Sequence, residues 1–168
     1  DGERYLVTAT QKGLIKKTEL SAYGRPREKG IIAVSLEDDD RLIGVGICKA
    51  QDTILLGTAD GMAIRFAEGD ARAMGRQAYG VRGIKLTGDD RVVGMAIPQP
   101  EHSILTMCQN GYGKRTVVDE YRLQGRGGQG LIDIKTTDRN GSVVTILAVG
   151  ILTEPMRALL PWWSIVVA

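Results

Sequence analysis

Few residues in this chain have the type and spacing for covalent chemistry. His102 is the only histidine, in a Pro-Glu-His-Ser stretch. A histidine-based triad and a histidine-rich metal site are therefore both out of reach. Gly111-Tyr112-Gly113-Lys114 has a passing likeness to a phosphate-binding loop. It lacks the four-residue spacer and the hydroxyl residue after the lysine, and no helix is expected to follow it. Glu37–Asp40 is acidic but has neither the spacing nor the glycine of an EF-hand, and reads as a hairpin tip. Cys48 and Cys108 lie in apolar runs, where buried packing is the expected role. Two cysteines make no disulfide framework, which points to a reducing compartment. The carboxylates fall mostly in turns and suggest no acid–base pair. The sequence proposes no catalytic residue and no metal site.

The remaining chemistry is electrostatic, and its signal is positional. Lys17, Arg65 and Arg115 each stand four residues after a glycine (Gly13, Gly61, Gly111), and Lys16, Ile64 and Lys114 stand three after. Successive residues of a strand face opposite sides. The first column is basic throughout, so it is expected to face solvent and contact phosphate. The second turns apolar once, so it is expected to face a neighbouring unit. A second basic feature is a set of loops: Arg25-Pro26-Arg27-Glu28-Lys29-Gly30, Gln77–Gly83 with Arg82, and Gln124-Gly125-Arg126-Gly127-Gly128-Gln129-Gly130. A glycine-rich loop offers many backbone N–H groups, which with one arginine could wrap a phosphate. A plain surface loop can have the same composition.

Those columns require a repeated element to carry them. Segments starting at Tyr5, Ile54 and Ile104 each read as an apolar run, a polar residue with glycine, and a run containing a basic residue. That is strand, tight turn, strand. Asp60-Gly61 and Asn110-Gly111 are strong hairpin signals, and suggest a type I′ turn with positive φ at both central residues. Lys12-Gly13 is a weaker version. A glycine then precedes a third strand: Gly30 before Ile31–Val34, Gly83 before Ile84–Leu86, Gly130 before Leu131–Ile134. Acidic or Asn-Gly turns follow, and then a fourth strand from Leu42, Val92 and Val143. Four strands in about fifty residues is the period of a propeller blade. Glu19–Tyr23, Glu68–Gly75 and Asp119–Leu123 lie between second and third strands, and each is too short for more than a turn or two of helix.

The expected architecture is therefore all-β, an incomplete propeller of three units at 3–50, 51–100 and 101–149. Residues 150–168 carry both tryptophans and no turn-glycine landmark, and stay unassigned as a closing strand or non-native sequence. With Pro155, Arg157 and Pro161 they make a poor membrane span. Composition agrees: 22 of 168 residues are glycine and only five are proline. The ordinary glycine share is about 7%. The chain begins Asp1-Gly2-Glu3, without methionine and without a visible signal peptide, and reads as a piece of something longer.

The net charge of +2 hides an alternation. Lys12–Gly30 holds six basic and two acidic residues, Gly61–Leu86 five and two, Gly111–Lys135 five and three. Between them, Ile31–Asp60 holds two and six, and Thr87–Asn110 one and three. The alternation is in phase with the repeat, so it predicts one positive band across the units. Such a band suits a curved phosphate backbone.

The repeat, the Gln124–Gly130 loop and the phrases Arg72–Arg76, Gly80–Leu86 and Gln109–Thr116 resemble the C-terminal domain of DNA gyrase A, over about residues 3–149. The resemblance implies a β-pinwheel, usually of six blades, that binds and bends double-stranded DNA around a positive rim. It implies a non-catalytic part of a bacterial, cytoplasmic and nucleoid-associated type II topoisomerase that adds negative supercoils. The implied partners are the rest of DNA gyrase A and, through the full enzyme, DNA gyrase B, with no membrane partner. No cofactor is implied in this chain; ATP and magnesium belong to the full enzyme. The family's signature box is Gln, basic, Arg, Gly, Gly, basic, Gly. Gln124, Arg126, Gly127, Gly128 and Gly130 match it, whereas Gly125 and Gln129 stand where basic residues are expected. The loop is thus a degenerate copy of a box that normally lies in the first blade. On the resemblance, Lys16, Lys17, Arg25, Arg27, Lys29, Arg65, Arg76, Arg82, Lys114, Arg115 and Arg126 are the candidate DNA contacts. The homologous domain of topoisomerase IV and a protein-interaction propeller are the alternatives.

Overall fold

The computed structural model describes residues 3–25 and 28–150. Arg27 and the tail 151–168 lie outside the described residues. Three antiparallel sheets follow one another along the chain. β1 (Arg4–Thr10), β2 (Leu14–Glu19) and β3 (Leu42–Lys49) build the first, with β1 in the middle. β4 (Thr53–Thr58) and β5 (Met62–Ala67), then a two-residue strand β6 (Val81–Arg82) and β7 (Val92–Ala96), come next. β8 (Ser103–Cys108), β9 (Gly113–Val117), β10 (Leu131–Ile132) and β11 (Val143–Val149) complete the described chain. There is no α-helix among the described residues. Short 3-10 turns at Leu20–Tyr23, Glu68–Asp70 and Val118–Glu120 fill the stretches expected to hold at most a turn or two.

The hairpins stand where the sequence puts them, with a different turn. Gly13, Gly61 and Gly111 have φ of +84°, +85° and +84°, but Asp60 and Asn110 do not have positive φ. Gly61 N–H donates to Thr58 O at 3.1 Å, and Gly111 N–H to Cys108 O at 3.0 Å. The turn is therefore a right-handed one closed by a single left-handed glycine, and not the expected type I′. Only one position per hairpin needs glycine's freedom.

The larger departure concerns the short strands. β6 does not join the sheet of its own repeat. It pairs with β2, with Leu14 opposite Arg82 and Ile15 opposite Val81. β10 likewise pairs with β5, with Leu131 opposite Ala63. The sheet orders are thus β3-β1-β2-β6, β10-β5-β4-β7 and β11-β8-β9. Each unit hands a strand back to the unit before it. The third sheet has three strands, and Ile31–Val34, expected as a strand, forms none.

The landmark glycine of the second unit is Gly80 and not Gly83. Gly30, Gly80 and Gly130 have φ of +79°, +114° and +80°, at an even spacing of 50 residues. A Cβ on Gly80 would meet Ile15 O at 2.5 Å, and one on Gly130 would meet Ala63 O at 2.3 Å. The backbone passes too close to the receiving strand for any side chain. Gly83 corresponds to Asp133: their N–H groups donate to Gly13 O at 2.8 Å and Gly61 O at 2.9 Å. Ile84–Leu86 follows the pairing and is not a strand.

The core lies between sheets. Val7, Ile15, Ile54, Leu56, Phe66 and Ile84 are fully or almost fully buried and join the first sheet to the second. Leu55, Ile104, Val118, Tyr121, Val143 and Ile146 join the second to the third. Each apolar face therefore finds its partner in the next repeat, as stacked repeats require. Cys48 and Cys108 are both buried in these layers.

Candidate nucleic-acid interface

The basic column after each hairpin is not a wet row. Lys17 on β2 is 6% exposed, and its Nζ lies 2.5 Å from Glu68 Oε2, on the 3-10 turn of the next unit. The same ammonium lies 4.6 Å from the centre of the Tyr5 ring. Arg65 on β5 repeats the arrangement one unit on. Its Nη1 donates to Val118 O at 3.0 Å and Tyr121 O at 3.3 Å, its Nε to Thr53 Oγ1 at 3.1 Å. Lys17 and Arg65 thus clamp the following unit's turn, and the expectation that they face solvent is corrected. Arg115, which meets no following unit among the described residues, is exposed.

Two of the three residues in the alternate column are buried as well. Lys16 is 1% exposed, and its Nζ donates to Ala33 O at 3.2 Å and to Arg76 O. Burial lowers its pKa, helped by the nearby Arg76 charge. Ile64 is fully buried, and Lys114 donates to Asp133 O at 2.8 Å while remaining exposed. The alternation rule assumes one wet face. Strands β2 and β5 have neighbours on both faces, so both columns are occupied.

Asp133 is the centre of the third unit's buried polar cluster. Tyr121 Oη donates to its Oδ1 at 2.7 Å and Thr106 Oγ1 to its Oδ2 at 2.5 Å. Burial, and then the bond to Asp133, raise the Tyr121 pKa well above its ordinary value. These residues have partners and serve packing. Among the described residues no three His, Cys, Asp or Glu side chains gather as a metal site. No helix among them is long and apolar enough to cross a membrane.

The exposed cations lie on the loops. Arg126 donates through Nε to Asp70 O at 2.8 Å and through Nη1 to Arg82 O at 3.0 Å. Two donors of its guanidinium are used, and a guanidinium has five. Arg76, 50 residues earlier, makes the same contact to Ile32 O at 3.2 Å. Both loops also dock by a backbone bond: Met74 N–H to Lys17 O at 2.8 Å and Gln124 N–H to Arg65 O at 2.9 Å. In the glycine-rich loop Gly127 N–H is committed to Gly83 O at 2.7 Å, and Lys85 N–H binds Gly128 O at 2.8 Å. Part of this loop's backbone therefore holds two units together and is not free for a phosphate. Arg82, Lys85 and Arg126 are brought together here, and all three are exposed. Arg25 and Lys29 are exposed on the first unit's loop.

With Gly80 as the landmark, further columns emerge. Arg72 and Arg122, and Lys85 and Lys135, are spaced by 50 residues, and all four are exposed. Arg76 and Arg126 form the third pair. The sequence contains this signal, but an alignment on Gly83 displaces the second unit by three residues and hides it.

The acidic turns are structural. Asp40 Oδ1 accepts from Lys12 N–H at 2.9 Å, and Asp90 Oδ1 from Asp60 N–H at 3.0 Å. Each ties a hairpin to the turn before the last strand of its unit.

Three stretches of the chain, residues 4–49, 52–99 and 102–149, match the family model described as the DNA gyrase C-terminal domain, beta-propeller. The chain belongs to that family. It is 49% identical over 83 residues to the DNA gyrase A protein of Clostridium acetobutylicum, which is 49% of this chain and 10% of the relative. It is 55% identical over 75 residues to the DNA gyrase A protein of Salmonella typhimurium, 45% of this chain and 8% of the relative. The chain thus aligns with about a tenth of the length of the curated relatives it matches. A solved DNA gyrase A C-terminal domain superposes with a TM-score of 0.80 at 28% identity, covering 89% of this chain and 50% of that one. The C-terminal domain of DNA topoisomerase IV gives 0.80 at 26% identity, covering 87% and 46%. For this DNA gyrase C-terminal domain member, the handed-back strands and the repeated loop arginines are the framework on which the exposed cations are set.

Proposed function

We propose that this chain is a non-catalytic module that binds and bends double-stranded DNA. The observation that carries the reading is the recurrence of exposed cations at equivalent places in successive units. Arg72 and Lys85 recur as Arg122 and Lys135, beside the Arg82–Arg126 cluster. Phosphate contacts need positive charge at regular intervals and no base-specific geometry. A stack of like units supplies that, and a duplex following the stack must curve. Family membership supports the same reading. In the whole protein the module would belong to DNA gyrase A, wrapping DNA for ATP-dependent negative supercoiling together with DNA gyrase B, in the bacterial cytoplasm.

A relaxed plasmid, nicked and resealed in the presence of the chain, tests whether the bend is a chiral wrap. A shift in linking number that grows with protein concentration is expected. Binding without any shift would contradict wrapping. The homologous module of topoisomerase IV is the second reading, favoured by Gly125 and Gln129 in place of basic residues.

A further inference from the structure

The joint between the second and third units differs in charge from the one before it. Here the glycine-rich loop of the third unit lies along residues 82–85 of the second. Gly127 N–H donates to Gly83 O at 2.7 Å, Lys85 N–H to Gly128 O at 2.8 Å, and Arg126 Nη1 to Arg82 O at 3.0 Å. The stem of Arg82 passes over Gly127: a Cβ on that glycine would lie 3.8 Å from Arg82 Cγ and Cδ. Arg82 and Lys85 of the second unit are thereby gathered with Arg126 of the third, and all three are exposed. The 50-residue spacing puts Ile32, Ser35 and Arg76 at the same places of the preceding joint. One joint carries three cations where the other carries one.

These charges have no internal counter-ion. Asp70 meets Arg126 through its main-chain carbonyl, 2.8 Å from Nε. Among the described residues no carboxylate forms an ion pair with Arg82, Lys85 or Arg126. Like charges repel, so the contact that gathers these three is opposed by the charges it gathers. The bonds across the joint all end on main-chain groups and relieve none of that repulsion. An anion lying across the joint turns the repulsion into attraction to both of its sides.

We infer that the DNA backbone crosses this joint, is held by cations of both units at once, and locks the third unit's loop onto the second. The inference rests on the DNA-binding reading above and adds a consequence to it. Phosphates follow one another closely along a duplex, so one pass over the joint meets Arg82, Lys85 and Arg126 together. A ligand that touches both sides binds the closed joint better than an opened one, and stabilises it by that difference. The preceding joint receives no comparable lock, because Ile32 and Ser35 bring no charge to it. DNA therefore stiffens the two joints unequally.

Hydrogen exchange of the full chain, read amide by amide by NMR with and without a saturating short duplex, tests the lock. With DNA, the N–H groups of Gly127 and Lys85 should exchange about fivefold more slowly or better, the lower end of ordinary coupling between sites. Met74 N–H, which crosses the preceding joint to Lys17 O, should keep its rate. Arg82→Gln with Lys85→Gln removes two charges and keeps the joint's hydrogen bonds, because both residues bond there through the main chain. Saturated with duplex at low salt, that double variant should lose the slowing, while its exchange without DNA matches the parent's. If it exchanges faster without DNA, Lys85→Gln alone carries the test and should reduce the slowing. Arg72→Ala with Arg122→Ala should weaken binding but keep the slowing at saturation. A parent that binds duplex without slowing Gly127 and Lys85 overturns the lock and leaves the DNA reading standing. Slowing that survives loss of the Arg82 and Lys85 charges does the same. A chain that binds no duplex at any salt overturns both.

Discussion

At the residue scale, charge in this chain divides into two populations that sequence alone does not separate. Lys17 and Glu68 form a buried pair, with side chains 8% and 11% exposed. Removing one partner leaves the other charge buried and alone, which costs about 3 kcal/mol or more. Glu68→Ala should therefore lower the urea midpoint sharply with little change in slope, and should leave the exposed loop cations of the folded fraction unchanged. Arg122→Ala, at an exposed site, should leave the midpoint within about 0.5 kcal/mol. The cysteines give a second check. Burial is the main reason the Cys48 thiol is pushed up to about 11, and burial also raises Cys108. Thiolate is the reactive form. Alkylation of the native chain at pH 8 should be slow at both, Cys48 should stay mostly protonated until near pH 11, and urea should release both. Fast labelling of the native chain would contradict the burial.

At the element scale, the hairpins and last strands are legible in the sequence, because turn glycines and apolar runs are local signals. The three-residue offset at Gly83 has no local remedy. Gly83-Ile84 resembles Gly30-Ile31, and what distinguishes Gly80 is a carbonyl of Ile15, far away in sequence. The orientation of Lys17 escapes a sequence reading for a related reason: alternation tells two faces apart but does not say that both are covered. Glycine substitutions measure the difference. Gly30→Ala faces open space and meets only the strain of positive φ, about 1 kcal/mol. Gly80→Ala and Gly130→Ala add a backbone clash at 2.5 and 2.3 Å, and should cost clearly more in a denaturant titration. Equal losses at all three would show that the handed-back strand is not held as described.

At the scale of the whole molecule, the even repeat sets exposed cations at equivalent positions of the second and third units of a nearly neutral chain. The net charge of +2 is a poor guide, because acidic residues such as Asp40 and Asp90 are tied to backbone N–H groups in the turns. Arg72, Arg82, Lys85, Arg122, Arg126 and Lys135 stay exposed. The period and the family resemblance are visible in the sequence; which cations remain outside is not, since that depends on how each unit grips the next.

The decisive measurement is the salt dependence of duplex binding by the intact chain, compared with a variant in which Arg72, Lys85, Arg122 and Lys135 are all alanine. For the parent, log affinity is expected to fall linearly with log salt. The slope of the variant should be shallower by about one for each phosphate no longer neutralised, for every DNA sequence tried. Binding that ignores salt, or a folded variant that keeps the parent's slope, would contradict the assignment of these four cations to the DNA track.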